Sequence, residues 1–231
     1  MHDTIHDLAQ YISENHDLSI IDPKPCSELD RVRHIYIGAA KKELITSLSG
    51  KKLRPLRTTF LHSSCKEKYV SENLIFSLIT TSLRALHIDS LSQNERLLES
   101  IGNLKLLRYL YVCSFDMVRL HKSLGDLFNL QMLDLQCPKV EHLPLEIGDL
   151  INFHYLRFRS EVAKMLSTSV SQLSNLLALD LSACRELESL PESIYMLCNL
   201  QKLDLTECSS LGSLPESISA TRCFGYVYGC L

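Results

Sequence analysis

The segment LSNLLALDLSAC, residues 173–184, carries leucines at its first, fourth, seventh and ninth positions. The same L-x-x-L-x-x-L-x-L pattern, with Phe or Val at some positions, recurs along the chain on either side of this segment. Its five clearest copies are separated by steps of 23, 23, 23 and 24 residues, and they begin at Leu104, Leu127, Leu150, Leu173 and Leu197. Three weaker copies in the same phase, which bring the count to eight, begin at Leu29, Leu53 and Thr80.

The L-x-L end of each copy predicts a short β-strand, because alternate side chains of a strand lie on the same face. The two earlier leucines pack inward from the turn that leads into the strand. A single copy cannot bury its apolar face alone, so neighbouring copies stack and share one core. A period of this length is typical of a leucine-rich-repeat solenoid, an α/β fold with a short parallel sheet on its concave side.

A second set of apolar residues lies in the returning half of each unit, as in Leu190, Pro191 and Ile194. Leu-Pro favours an extended or turn backbone and opposes a long helix. We therefore expect short helical turns and irregular chain on the convex side.

The first residues of the chain do not follow the repeat. Met1, Ile5, Leu8 and Ile12 recur at helical spacing and predict an N-terminal amphipathic helix. The sequence divides into four predicted segments: the helix and its surroundings at 1–22, a linker at 23–30, the repeats at 31–218, and an irregular tail at 219–231.

The composition is that of an ordinary globular protein, with 45% hydrophobic and 22% charged residues and a net charge of -3. This charge gives no reason to expect nucleic acid or an anionic membrane as a partner. No apolar run approaches the roughly 18 residues of a membrane span. The polar N-terminus is unlike a signal peptide, and nine cysteines without a secretory signal predict reduced thiols in the cytoplasm.

Two of the cysteines have a predicted structural role. Cys184 and Cys208 each follow the last leucine of a predicted strand by three residues, where such repeats place Asn or Cys to satisfy backbone groups of a turn. A metal site is not expected, because the sequence contains no C-x-x-C.

Several stretches resemble one protein family. The segment MHDTIHDLAQYI, residues 1–12, is similar to the "MHD" segment of plant nucleotide-binding leucine-rich-repeat disease-resistance proteins. SIGNLKLLRYLYV (100–112), LPLEIGDLINFHYL (143–156) and LPESIYMLCNLQKLDLTEC (190–208) resemble the repeats of that family. The resemblance implies the recognition module of an intracellular immune receptor, which binds pathogen-derived or host guard proteins and restrains a nucleotide switch.

The resemblance also implies a role for His2, since the matching histidine of the family lies near the diphosphate of bound ADP. The sequence contains no G-x-x-x-x-G-K-[ST] phosphate-binding loop, and residues 49–52 (SGKK) are its nearest fragment. We therefore expect no cofactor in this chain and a vestigial His2, with ADP or ATP implied only for a full-length family member. Two alternative interpretations are open. The chain is either a free-standing repeat adaptor without a nucleotide switch or the tail of a nucleotide-dependent ATPase.

No catalytic or metal-binding set emerges from the sequence. His2 and His6 stand four residues apart and could share a zinc ion, but a solvated polar face explains the same spacing. Nucleophile motifs such as G-x-S-x-G are missing, so an enzyme is not expected.

The predicted binding surface is the concave sheet. Between the inward leucines, the predicted strands present aromatic residues in the N-terminal half, arginines in the middle and aspartates in the C-terminal half. Tyr and Arg are enriched among residues that dominate protein interfaces. The predicted partner contacts are Tyr109, Tyr111, Tyr155, Arg157 and Arg159. The alternative is that this stripe packs against a neighbouring domain of the same polypeptide.

Overall fold

A computed structural model describes residues 18–20, 33–38, 56–62, 72–220 and 225–229 of the chain. Within these ranges ten short strands form one parallel sheet, and their order in the sheet is their order in the chain. The strands are β1 (Leu18–Ile20), β2 (His34–Gly38), β3 (Thr58–His62), β4 (Ala85–Ile88), β5 (Tyr109–Cys113), β6 (Met132–Gln136), β7 (Tyr155–Arg159), β8 (Ala178–Asp180), β9 (Lys202–Asp204) and β10 (Tyr226–Tyr228). The predicted solenoid is thus confirmed, whereas the predicted N-terminal helix lies outside the described residues.

The inward leucines line up from strand to strand. Leu110, Leu133, Leu156, Leu179 and Leu203 are direct neighbours in the register, and each is fully buried. This alignment follows from the repeat period, because each strand from β5 to β10 begins 23 or 24 residues after the previous one. The core is therefore one continuous apolar column that runs the length of the sheet.

Among the described residues, the returning halves of the units are helical but short, as predicted. Two α-helices come early, α1 (Glu72–Leu78) and α2 (Glu95–Gly102), and α3 (Glu216–Ala220) comes late. The repeats between them contain 3-10 helices at Lys122–Asp126, Leu145–Asp149, Thr168–Gln172 and Glu192–Met196. Pro144 and Pro191 directly precede two of these turns in extended conformation, which is the backbone that proline favours.

A row of asparagines ties consecutive repeats together. Each stands two residues after the first leucine of its copy, and its side-chain amide donates to a backbone carbonyl of the preceding repeat at 2.7–2.9 Å. The members of the row are Asn129, Asn152, Asn175 and Asn199. The sequence shows these asparagines as a recurring L-x-N pattern. Their role becomes clear only in the structure, where each amide meets a carbonyl of the neighbouring turn.

The predicted structural role of Cys184 and Cys208 is confirmed. Both are buried, and their thiols donate to the carbonyls of Phe158 and Leu181 at 3.1 Å. Burial raises the pKa of Cys184 to about 12 and that of Cys208 to about 11, so both remain protonated donors. In an earlier repeat the buried Ser160 hydroxyl also links two repeats, since it donates to the Val140 carbonyl at 2.6 Å.

The sheet extends beyond the predicted repeat range at both ends. β1 lies within residues 1–22 and β10 within residues 219–231, where the sequence showed no leucine ladder. Gly225 introduces β10, and a Cβ atom at this position would lie 2.9 Å from the Gln201 carbonyl oxygen. Backbone pairing and a close glycine contact therefore continue the sheet without the leucine pattern.

We predict that Leu179→Ala lowers the free energy of unfolding by about 2–5 kcal/mol, because it opens a cavity in the continuous core. Leu145→Ala is the matched control, since Leu145 is 71% exposed, and its effect should stay within about 0.5 kcal/mol. Urea titration of both variants measures the difference. Equal shifts of the two midpoints would contradict the assignment of the core.

Candidate interaction surface on the concave face

Side chains between the inward leucines share the opposite face of the sheet, here called the concave face. The register confirms the predicted alignment of this face into rows. The central row consists of Tyr36, Phe60, His87, Tyr111, Asp134, Arg157, Asp180, Asp204 and Tyr228. A second row, two residues earlier on each strand, contains Tyr109, Met132, Tyr155, Ala178 and Lys202.

Aromatic rings stack along the N-terminal half of the central row. The His87 and Tyr111 rings are stacked, parallel within 4° with centroids 3.9 Å apart, and the Phe60 ring packs beside His87 at 5.3 Å with a tilt of 34°. Burial lowers the pKa of His87 to about 4, although the charge of Asp89 acts in the opposite direction. At neutral pH this half of the row is therefore an uncharged aromatic stack.

The tyrosine hydroxyls of this region stay protonated. Burial raises the pKa of Tyr111, and the negative charges of Asp89 and Asp134 raise it further. Burial likewise raises the pKa of Tyr109, with Asp134 adding to the effect and Arg157 opposing it. Both side chains are half-buried and can thus offer a ring edge and a hydroxyl donor to a partner.

The centre of the row is an ion-pair network across three strands. The Arg157 side chain on β7 lies between Asp134 on β6 and Asp180 on β8. Its Nη1 donates to Asp134 Oδ2 at 2.9 Å, and its Nε donates to Asp180 Oδ2 at 2.7 Å. The three side chains are only 6–12% exposed, so the charges compensate one another largely away from water.

The two carboxylates of this network differ in their environment. Burial would raise the pKa of Asp180, but hydrogen bonds from Ser182 and Arg157 outweigh it and the pKa is lowered. For Asp134 burial prevails over the attraction of Arg157, and the pKa is raised. Asp134 Oδ1 is buried without a hydrogen-bond partner among the described residues, which accounts for this difference.

The structure brings the five predicted contact residues onto one face but gives them different surroundings. Tyr109, Tyr111 and Tyr155 are half-buried on the concave face, whereas Arg157 is 6% exposed and held by the two aspartates. Arg159 is half-buried, and its Nη2 donates to the Ser182 hydroxyl at 3.2 Å. Whether these residues contact a partner stays a prediction, and His2 lies outside the described residues.

The sequence predicted aspartates on this face, but not the network that Asp134 and Asp180 form with Arg157. The signal was present, because the three residues occupy the same position of three consecutive copies. An Asp-Arg-Asp series at one repeat position places opposite charges on adjacent strands of a parallel sheet.

At the C-terminal end of the row, Asp204 accepts hydrogen bonds from the Thr206 backbone and side chain, and these lower its pKa against the effect of burial. The Lys202 ammonium lies 3.2 Å from Asp204 and 5.2 Å from the centre of the Tyr228 ring. Across the described ranges, no group of three His, Cys, Asp or Glu side chains is placed to hold a metal ion. None of the helices described is both long and apolar enough to span a bilayer.

Comparisons with known proteins agree with this architecture. A family model described as a leucine-rich repeat region matches residues 63–186. A search of curated proteins finds no match to the sequence.

Solved structures of similar shape come from bacteria and plants. Internalin C2 of Listeria monocytogenes is 16% identical with a TM-score of 0.58, over 87% of this chain and 82% of that chain. A Leptospira interrogans leucine-rich-repeat protein is 21% identical with a TM-score of 0.56, over 87% and 61%. The Arabidopsis receptor kinase HAESA, solved with a peptide hormone and a co-receptor, is 18% identical with a TM-score of 0.64, over 97% and 40%. At these identities the likeness shows the fold alone.

We predict that Asp180→Asn destabilises the protein by about 1.5–3 kcal/mol near neutral pH, the range of hydrogen bonds to charged groups, while Asp134→Asn costs less than about 1 kcal/mol. The lowered pKa of Asp180 means that its ionised form stabilises the fold above the unfolded pKa of about 3.9, and this stability is lost on acidification through the folded pKa. Asp134 has the opposite effect on stability. Its pKa is raised, so the fold favours the protonated carboxyl, and this contribution to stability is lost as the pH rises and the carboxyl ionises.

Urea unfolding of the two variants near pH 7 and at about pH 2 measures this difference. The gap between the variants should narrow as the pH falls through the lowered pKa of Asp180, because its carboxyl then becomes protonated in the native protein. Equal losses of unfolding free energy for Asp180→Asn and Asp134→Asn at neutral pH would contradict the predicted difference between the two carboxylates.

We also predict that the native protein loses stability as the pH falls from 6.5 toward about 4, in part through His87. Between these values the unfolded chain binds a proton at this imidazole and the folded chain does not. His87→Phe should flatten the dependence of the unfolding free energy on pH while keeping the ring stack. An unchanged slope in the variant would show that His87 does not contribute.

Proposed function

Because this chain belongs to the leucine-rich-repeat family, we propose that it is a protein-recognition module whose partner binds the concave face. The observation that carries the proposal is the uncharged aromatic stack of Phe60, His87 and Tyr111 beside the ion-pair network. Rigid rings provide large contact area at a low cost in side-chain entropy. The buried network holds the centre of the surface in one conformation, so that binding costs little conformational entropy there.

The fold itself is generally a scaffold for protein interaction and not an enzyme. The concave side chains described above are engaged with one another: Arg157 pairs with two carboxylates, and burial holds the tyrosines in their protonated form. Such groups suit binding and supply no activated nucleophile. We infer that the chain acts by binding alone.

We further propose that the module belongs to a cytoplasmic immune receptor of plants. The resemblance of residues 1–12 and of the repeat segments to nucleotide-binding disease-resistance proteins supports this assignment. In this proposal the concave face contacts a pathogen-derived or host guard protein, or the nucleotide-binding module of the same polypeptide, which it restrains. His2 would then lie beside ADP only when that module is present.

A free-standing adaptor is the second candidate. It is supported by the concave face itself, since the aromatic rings and the ion-pair network hold one another in place without a nucleotide-binding module. An adaptor would use the same concave face to hold signalling proteins without any nucleotide switch.

Sequencing of the full-length transcript upstream of Met1 tests the receptor against the adaptor. A reading frame that stays open and encodes a phosphate-binding loop would support the receptor. A stop codon just before Met1 would overturn the receptor proposal and favour the adaptor.

For the receptor we predict that Tyr111→Ala weakens binding to the separately expressed nucleotide-binding module by roughly tenfold or more, as truncation of an aromatic hot spot does. Tyr195→Ala is the matched control, because Tyr195 is 46% exposed on the convex 3-10 helix Glu192–Met196. Titration calorimetry measures both affinities. Equal affinities for the two variants would exclude this part of the concave face from the contact.

A further inference from the structure

The last strand of the described sheet, β10, has an open edge and exposed side chains. Val227 is paired in register with Leu203, which is fully buried, yet Val227 itself is 44% exposed. Tyr226 and Tyr228 are 68% and 47% exposed. An inward position of the solenoid therefore meets solvent at this end, where no further described strand follows.

The hydrogen bonds between β10 and β9 show which backbone groups of β10 point toward the open edge. The Tyr226 N–H donates to the Gln201 carbonyl at 2.9 Å, and the Tyr228 carbonyl accepts from the Leu205 N–H at 2.7 Å. In a parallel pair only alternate residues bond to a given neighbour, so Tyr226 and Tyr228 face β9. The N–H and C=O of Val227 consequently point to the open edge, where no described strand pairs with them.

The sequence of this strand carries none of the usual protection against pairing. Edge strands commonly contain a charge or a proline that prevents association with another edge. Residues 225–229 read Gly-Tyr-Val-Tyr-Gly, without either. The segment is also a palindrome, with Val227 at its centre.

We propose that β10 pairs antiparallel with β10 of a second copy of this chain, about a two-fold axis at Val227. A two-fold contact requires the same patch on both molecules to be self-complementary, and a palindromic strand meets this requirement. The two Val227 residues exchange N–H···O=C bonds, and each Tyr226 stands opposite Tyr228 of the second copy. Aromatic pairs of this kind stabilise neighbouring strands.

This pairing explains the exposed inward position. Residues directly opposite in an antiparallel pair point to the same face of the sheet. The two Val227 side chains therefore meet on the core side, beside the ends of the two apolar columns. The two concave faces become one continuous surface, whatever partner that surface binds, so the proposal does not depend on the proposed function.

Sedimentation velocity of the purified 231-residue chain tests the proposal. We expect a species of twice the 26.3 kDa chain mass whose population rises with protein concentration. Val227→Glu and Val227→Lys each place like charges across the two-fold axis and should give monomers. Their equimolar mixture sets opposite charges against each other and should restore the dimer, while Val227→Thr, the control, should remain dimeric.

Three results would overturn the proposal: a native chain that remains monomeric at high concentration, charged variants that dimerise as the native chain does, or a mixture of folded variants that stays monomeric. Circular dichroism checks that each variant is folded. If a charged variant does not fold, hydrogen exchange of the native chain decides the question. The Val227 amide should then become more protected as concentration rises, and exchange independent of concentration would refute the pairing.

Discussion

The constraint on which this molecule depends is that no single repeat can bury its own apolar face. Leu133, Leu156 and Leu179 are fully buried only because the neighbouring repeats lie on either side of them. Each repeat thus buries one side of the apolar face of its neighbour. Asparagine amides, cysteine thiols and a serine hydroxyl reinforce the same relationship, since each donates to a carbonyl of an adjacent repeat.

The same constraint organises the opposite face of the sheet. Leucines that must stack in register force the residues between them into register as well, because side chains alternate along a strand. A charge at one repeat position is consequently held next to the equivalent residues of the two adjacent repeats. Asp134, Arg157 and Asp180 form their network for this reason, and their burial is a consequence of close strand spacing.

The concave face therefore combines two kinds of rigidity. On the N-terminal side the rings of Phe60, His87 and Tyr111 stack without charge, and in the centre Arg157 is fixed by its two carboxylates. A partner would meet a surface whose side chains already hold one another in place. The proposed pairing of two β10 strands would double this surface without altering any of these contacts.

For the strands from β2 to β9, the sequence by itself determined the architecture, the register and the residues of the core. The recurring leucine pattern was sufficient, because a strand that slipped by one residue would turn every leucine toward solvent. The same periodicity identified the central row of the concave face, and the position of Cys184 after its strand identified a buried thiol.

Other features were decided only by the tertiary structure. The unequal pKa values of Asp134 and Asp180 depend on how many donors reach each carboxylate, and these donors come from other parts of the chain. The strands β1 and β10 lack the leucine pattern and exist because a neighbouring strand offers its backbone groups for pairing. Periodicity reveals which face a residue occupies, whereas burial, ion pairing and edge pairing depend on contacts between residues that are distant in the sequence.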